Sequence, residues 1–209
     1  MKGILGLLRQ KAALRPDDPQ DSVLFSTAFA GQGVDSAMLV PWEARAVEVG
    51  AKRLPAAQGS KMLQGLWARD KYMAQLPTDA IERMERFFDF ATIPANRDLI
   101  LQDEYGNFMV VLLNGTIAVD RVQPWGEHLR LAETRPGDIL GEMSLLDSGI
   151  RFSACTTLTP CDVAVLSADT LDEMMTQAPQ LAASLVALLA RKLSLRLRVL
   201  SARLSDHQK

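Results

Sequence analysis

The hydrophobic period changes twice along this 209-residue chain, and those changes limit its architecture more than any other feature. Between about Thr92 and Ser167 the apolar residues come in short runs such as LIL, FMVVLL and TIAV. Tyr105-Gly106-Asn107, Asn114-Gly115, Pro136-Gly137-Asp138 and Pro160 break them. Runs this short, bounded by turn residues, are strands. On both sides the spacing returns to three and four. Ile81, Met84, Phe87 and Phe88 share one face of a helix capped by Thr78. After Ser167 comes a short helix over Thr170 to Gln177, then one from Pro179 to about Leu204, about 39 Å long at 1.5 Å per residue. The predicted class is α+β: a β-roll, resembling a double-stranded jelly-roll barrel, over about 91–168, flanked by N-terminal helices and by C-terminal helices over about 169–205.

Strands are expected within Asp98 to Asp120, where Asn114-Gly115 signals a hairpin, and at Arg130 to Glu133, Ser153 to Leu158 and Asp162 to Leu166. This makes 76–209 the folded domain and 1–75 an extension of unknown role. In the extension, residues 1–15 read as an amphipathic helix with a basic face, and residues 16–35, rich in Pro, Asp, Gly and Ser, as an irregular linker. Ser36 to Val49, interrupted by Pro41, and Ser60 to Leu76 read as helices.

With 48% hydrophobic and 23% charged residues the chain can bury a core. Its longest apolar stretches fall far below the ~18 residues of a membrane helix, so no membrane span is expected. Arg9 and Lys11 interrupt the only early apolar run, which argues against a secretory signal and for a cytoplasmic protein. Cys155 and Cys161 are the only cysteines and read as buried free thiols. His128 and His207 are the only histidines and lie in different elements, so no multi-histidine metal site assembles. Ser144 and Ser153 have no histidine nearby to act as base; the chain reads as non-enzymatic. Trp42, Trp67 and Trp125 read as core or interface filler.

Charge is distributed unevenly. Residues 76–179 carry seven basic against seventeen acidic residues, whereas residues 180–209 carry six against one. Within the acidic block Arg151 is the single basic residue between Arg135 and Arg191. It follows the segment Pro-Gly-Asp-Ile-Leu-Gly-Glu, Pro136 to Glu142. An anion held in such an acidic roll needs a cation and several preorganised N–H donors. Gly141, lacking Cβ, lets a ligand approach the backbone, and Met143 to Leu146 form one helical turn whose first N–H groups face an anion. Arg151 supplies charge and a planar fork of donors. Glu142 can accept a hydrogen bond from a hydroxyl or hold the arginine.

The segment PGDILGEMSLLDSGIRFSA, Pro136 to Ala154, resembles the phosphate-binding cassette of the cyclic nucleotide-binding domain family, shared by bacterial catabolite activator proteins and protein kinase A regulatory subunits. PANRDLILQDEYGNFMVVLLNGTIAV resembles that family's first strands, with Gly115 at its hairpin glycine. The resemblance covers about 130 residues. It implies that Glu142 binds the ribose and Arg151 the phosphate, within a ligand-binding set of Gly141, Glu142, Met143, Ser144, Arg151, Phe152 and Ser153. Three positions depart from the pattern: Phe152 replaces a small residue, Ile150 a proline and Asn96 a glycine.

The implied protein is a cytoplasmic regulatory sensor that binds cyclic AMP or cyclic GMP, uses no cofactor and signals through the helices flanking the roll to an unknown protein effector. Leu185, Leu189, Leu193, Leu197, Leu200 and Leu204 form a seam that predicts a homodimer through the C-terminal helix. Only LSDHQK follows that helix, so direct DNA binding is not expected. Two alternatives stay open: a degenerate fold acting as a protein-interaction module without ligand, and a transcription factor acting through its basic C-terminal helix.

Overall fold

The structure, a computed structural model, describes residues 24–206. The expected helix at 1–15 and His207 lie outside them. In chain order the elements are α1 (Phe25–Gly31), β1 (Leu39–Val40), α2 (Trp42–Glu48), β2 (Lys52–Arg53), α3 (Ala56–Trp67), α4 (Thr78–Glu85), β3 (Asp89–Ile93), β4 (Asp98–Ile100) and β5 (Tyr105–Gly106). The chain continues with β6 (Phe108–Asn114), β7 (Ile117–Val122), β8 (His128–Glu133), β9 (Ile139–Leu140), α5 (Glu142–Asp147), β10 (Ala154–Thr157), β11 (Cys161–Ser167), α6 (Ala168–Gln177) and α7 (Pro179–Asp206).

The strands form two antiparallel sheets, β2-β3-β11-β6-β9 and β4-β10-β7-β8, while β1 pairs with β5 in parallel. The α+β roll of the sequence reading is the observed fold. Phe108, Val110 and Leu112 of β6 join the cluster between the sheets, and Met109, Val111 and Leu113 join the cluster under the helices. Successive side chains point to opposite faces, so a strand covered on both sides reads as an unbroken apolar run. The helical cluster draws on α1, α3, α4, α6 and the first part of α7, where Leu181, Leu185, Leu188 and Leu189 are buried. Cys155 and Cys161 are buried free thiols, and burial pushes the Cys155 thiol up to about 12.

Several local expectations are corrected. The 16–35 linker contains α1, because Phe25 and Phe29 bury one turn apart. The Asp172 carboxylate of α6 accepts from the backbone N–H groups of Leu24, Phe25 and Ser26 and from the Ser26 hydroxyl. That anchor lies about 146 residues away in sequence and leaves no local trace. After Pro41 the helix begins at Trp42, and α3 starts and stops earlier than Ser60 to Leu76 suggested. Thr78 is the first residue of α4 and not its cap, and α4 ends at Glu85, since Asp89 already pairs in β3.

Asn114-Gly115 does not close a hairpin. β6 and β7 belong to different sheets, so this turn carries the chain across the roll. Gly115 has φ +93°, and a Cβ there would lie 2.5 Å from the Pro160 carbonyl oxygen. The true hairpin is β7–β8, closed by Gln123 N–H donating to Glu127 O at 2.8 Å. At its tip Trp125 is 72% exposed, so it is no part of the core. Asn96 takes the left-handed conformation, φ +58°, that a glycine would.

Candidate functional site

The cassette starts where β9 gives way to α5. Gly141 turns the chain with φ +76°, and Ser148, φ +56°, ends the helix. A Cβ on Gly141 would lie 2.6 Å from Arg151 Nη1, and one on Gly106 of β5 would lie 2.6 Å from Arg151 Nη2. The guanidinium therefore fits only because two glycines wall it. Its Nη1 donates to Gly141 O at 2.8 Å, its Nη2 to Phe108 O at 2.7 Å, and its carbon sits 4.8 Å from the centroid of the Phe108 ring. Arg151 is 1% exposed. Its backbone N–H donates to Glu104 O at 2.8 Å, which fixes the strand entering β10.

Among the described residues no carboxylate lies within 4.0 Å of this guanidinium, and its buried Nε has no hydrogen-bond partner. Burial lowers the Arg151 pKa to about 10, with nearby Glu104 acting in the opposite direction. The group is still a cation at neutral pH. A buried cation held by neutral carbonyls alone is incompletely compensated, and an anion would compensate it.

Glu142, in the first turn of α5, is buried as well, but its carboxylate is occupied. Arg196 of α7 pairs with it through Nη1 and donates from Nη2 to Ile139 O at 3.0 Å. One turn earlier Lys192 donates to Gly137 O at 3.4 Å and stands 3.6 Å from the Asp70 carboxylate. Burial raises the Glu142 pKa, while Arg196, the residue's own backbone N–H and Arg151 oppose the rise. The C-terminal helix is thus tied to the cassette along Gly137 to Glu142.

Of the sequence-derived set, Gly141, Glu142 and Arg151 converge. Ser144 is buried in α5, and its carbonyl accepts from Ser148 N–H at 3.0 Å. Met143 is exposed and Ser153 half-buried. Phe152, placed by the resemblance in the ligand-binding set, is 51% exposed, with Arg121 stacked 4.0 Å over its ring. Arg121 also donates to Phe152 O. The sequence reading missed Arg196, Gly106, Phe108, Glu104 and Arg45. Arg196 lies in a helix legible only as a leucine seam, and the other four are placed by pairings that no local pattern reveals.

Residues 91–178 match the family described as "cyclic nucleotide-binding domain". The CRP-like cAMP-activated global transcriptional regulator of Mycobacterium tuberculosis is 26% identical over 114 residues, 54% of this chain and 51% of that one. The cyclic AMP receptor protein of Thermus thermophilus is 27% identical over 118 residues, 56% of this chain and 55% of that one. This chain spans about half the length of these two relatives. Among solved structures, a cyclic nucleotide-binding domain from Methylobacillus flagellatus superposes with a TM-score of 0.66 at 23% identity, covering 71% of this chain and 84% of that one, a likeness of fold. The catabolite activator protein of Thermus thermophilus superposes with a TM-score of 0.54 at 25% identity, covering 65% and 63%. The glycine-walled arginine and the cassette helix both lie within residues 91–178, the part of this chain that is similar to the cyclic nucleotide-binding domain family.

Proposed function

We propose that this domain is a non-catalytic sensor that binds one cyclic mononucleotide, cyclic AMP before cyclic GMP, in the cassette of Pro136 to Ala154. One observation carries the reading: among the described residues Arg151 is a buried cation without a carboxylate partner, with its Nε–H unused. A cyclic phosphate is a compact monoanion that would take this donor and the N–H groups of the first turn of α5. Glu142 would accept from the ribose 2′-hydroxyl once Arg196 gives it up. Ligand binding would then change how α7 is held, and α7 would carry the signal. No hydroxyl follows Arg151, so guanine gains no special contact there. On α7, Leu197 and Leu200 are exposed beyond the buried Leu185 and Leu189, which supports a dimer through the second half of this helix.

The Arg196–Glu142 pair also favours a second reading, a ligand-free interaction module in which Arg196 fills the ribose position for good. Calorimetric titration of the protein with cyclic AMP, cyclic GMP and cyclic di-GMP separates the two. Saturable binding of cyclic AMP, at least as tight as cyclic GMP, is expected. Absence of heat with all three supports the module.

A further inference from the structure

Between Val40 and Arg45 the chain touches, at three points, the β5–β6 residues that surround Arg151. Val40 of β1 pairs with Gly106, the glycine against which Arg151 Nη2 packs. Trp42, at the start of α2, meets Phe108 edge-on with ring centroids 5.6 Å apart, and the Arg151 guanidinium lies over the same Phe108 ring, 4.8 Å from its centroid. One turn further along α2, Arg45 is 1% exposed; its Nη2 holds the Glu104 carboxylate and its Nη1 holds Glu48 at 2.6 Å.

Glu104 thus sits between two buried arginines and serves them differently. Its main-chain carbonyl accepts from Arg151 N–H, whereas its carboxylate goes to Arg45 and to the Leu101 N–H at 3.2 Å. Among opposing charges Glu104 acts on Arg151 most strongly, yet it does not pair with it. Two cations near one carboxylate compete for it, and the winner leaves the other free for a different anion. We propose that Arg45 is a positioning residue: it holds the Glu104 carboxylate off Arg151 and so keeps Arg151 available to an anionic ligand. The inference rests on reading the cassette as the phosphate site, and it gives α2 of the extension a part in setting affinity.

The test is a double-mutant cycle on the full chain, with cyclic AMP titrated calorimetrically into the parent, Arg45→Met, Glu104→Gln and the pair. Arg45→Met releases a carboxylate that competes with phosphate, so affinity falls about tenfold or more, as for loss of a close charge pair. Glu104→Gln removes the competitor, so affinity rises about two- to fivefold, and the double variant returns to within about threefold of the parent. A merely structural pair gives the opposite sign for Glu104→Gln: both single variants weaken binding and the double does not recover, which overturns the inference. If Arg45→Met fails to fold, the sign of the Glu104→Gln effect still decides. A crystal structure of Arg45→Met, or of the more conservative Arg45→Gln if the first does not fold, gives an independent readout. The Glu104 carboxylate should move onto the Arg151 guanidinium, and a carboxylate that stays away from it contradicts the proposal. If the parent binds no nucleotide, the phosphate reading fails, and the crystallographic arm alone decides whether Arg45 holds Glu104 off Arg151.

Discussion

Arg151 and Glu142 stand nine residues apart in one cassette, and both are buried and ionisable, yet their surroundings are opposite. The arginine is held by two carbonyl oxygens and an aromatic face, and no carboxylate among the described residues touches it. The glutamate is already matched by an arginine from α7. One end of the site is therefore rigid and short of an anion, and the other is satisfied by a residue of α7. In this account the difference makes ligand binding do work on α7: phosphate enters a prepared place, whereas the ribose competes for an occupied one.

The strongest way to break the comparison is to remove its rigid end. Arg151→Met keeps much of the volume but deletes the charge. Cyclic AMP affinity should fall by about 2–5 kcal/mol, the range for truncating one partner of a buried charged contact. The Gly141 and Phe108 carbonyls lose their donors, so stability should drop by about 1–3 kcal/mol while the roll still folds, as read by chemical denaturation. Binding that survives in Arg151→Met would move the phosphate site elsewhere.

A subtler intervention acts on the occupied end. Burial raises the Glu142 pKa and Arg196 holds it down, so Arg196→Ala should raise it further, visible in a carbon-detected NMR titration of the Glu142 carboxyl. A carboxyl whose folded pKa lies above its unfolded value near 4.5 favours the folded state at low pH and withdraws that support as pH rises through the folded value. Stability of Arg196→Ala should therefore decline more steeply than that of the parent from about pH 4.5 upward. A small effect on stability belongs to Phe152→Ser. The ring is half-exposed under Arg121, so the change should cost only about 0.5–1 kcal/mol of stability, the scale of an exposed cation–π contact. A loss of several kcal/mol would mean that the ring packs more deeply than this structure gives it.

The roll and the long helix were legible because their signals are local: short apolar runs between turn residues, then a three-four leucine spacing. Gly141, Glu142 and Arg151 stood out because the segment Pro136 to Ala154 resembles the cassette of the cyclic nucleotide-binding family. Arg196 was not, since an arginine in an amphipathic helix normally faces water, and only tertiary packing brings it onto Glu142. α1 was hidden for a related reason: its cap, Asp172, belongs to a helix at the other end of the domain. Asn114-Gly115 misled in the opposite direction. A turn that tolerates positive φ serves a sheet-to-sheet corner as well as a hairpin, and the sequence alone does not state which strands pair.

The central claim is that ribose and Arg196 compete for Glu142, and calorimetric titration of cyclic AMP into Arg196→Ala beside the parent tests it most directly. The pair is half-exposed on the arginine side, so its loss is worth about 0.2–1 kcal/mol, and the variant should bind up to about fivefold more tightly than the parent. Weaker binding by Arg196→Ala would contradict the account, because it would make Arg196 part of the bound site and not its occupant.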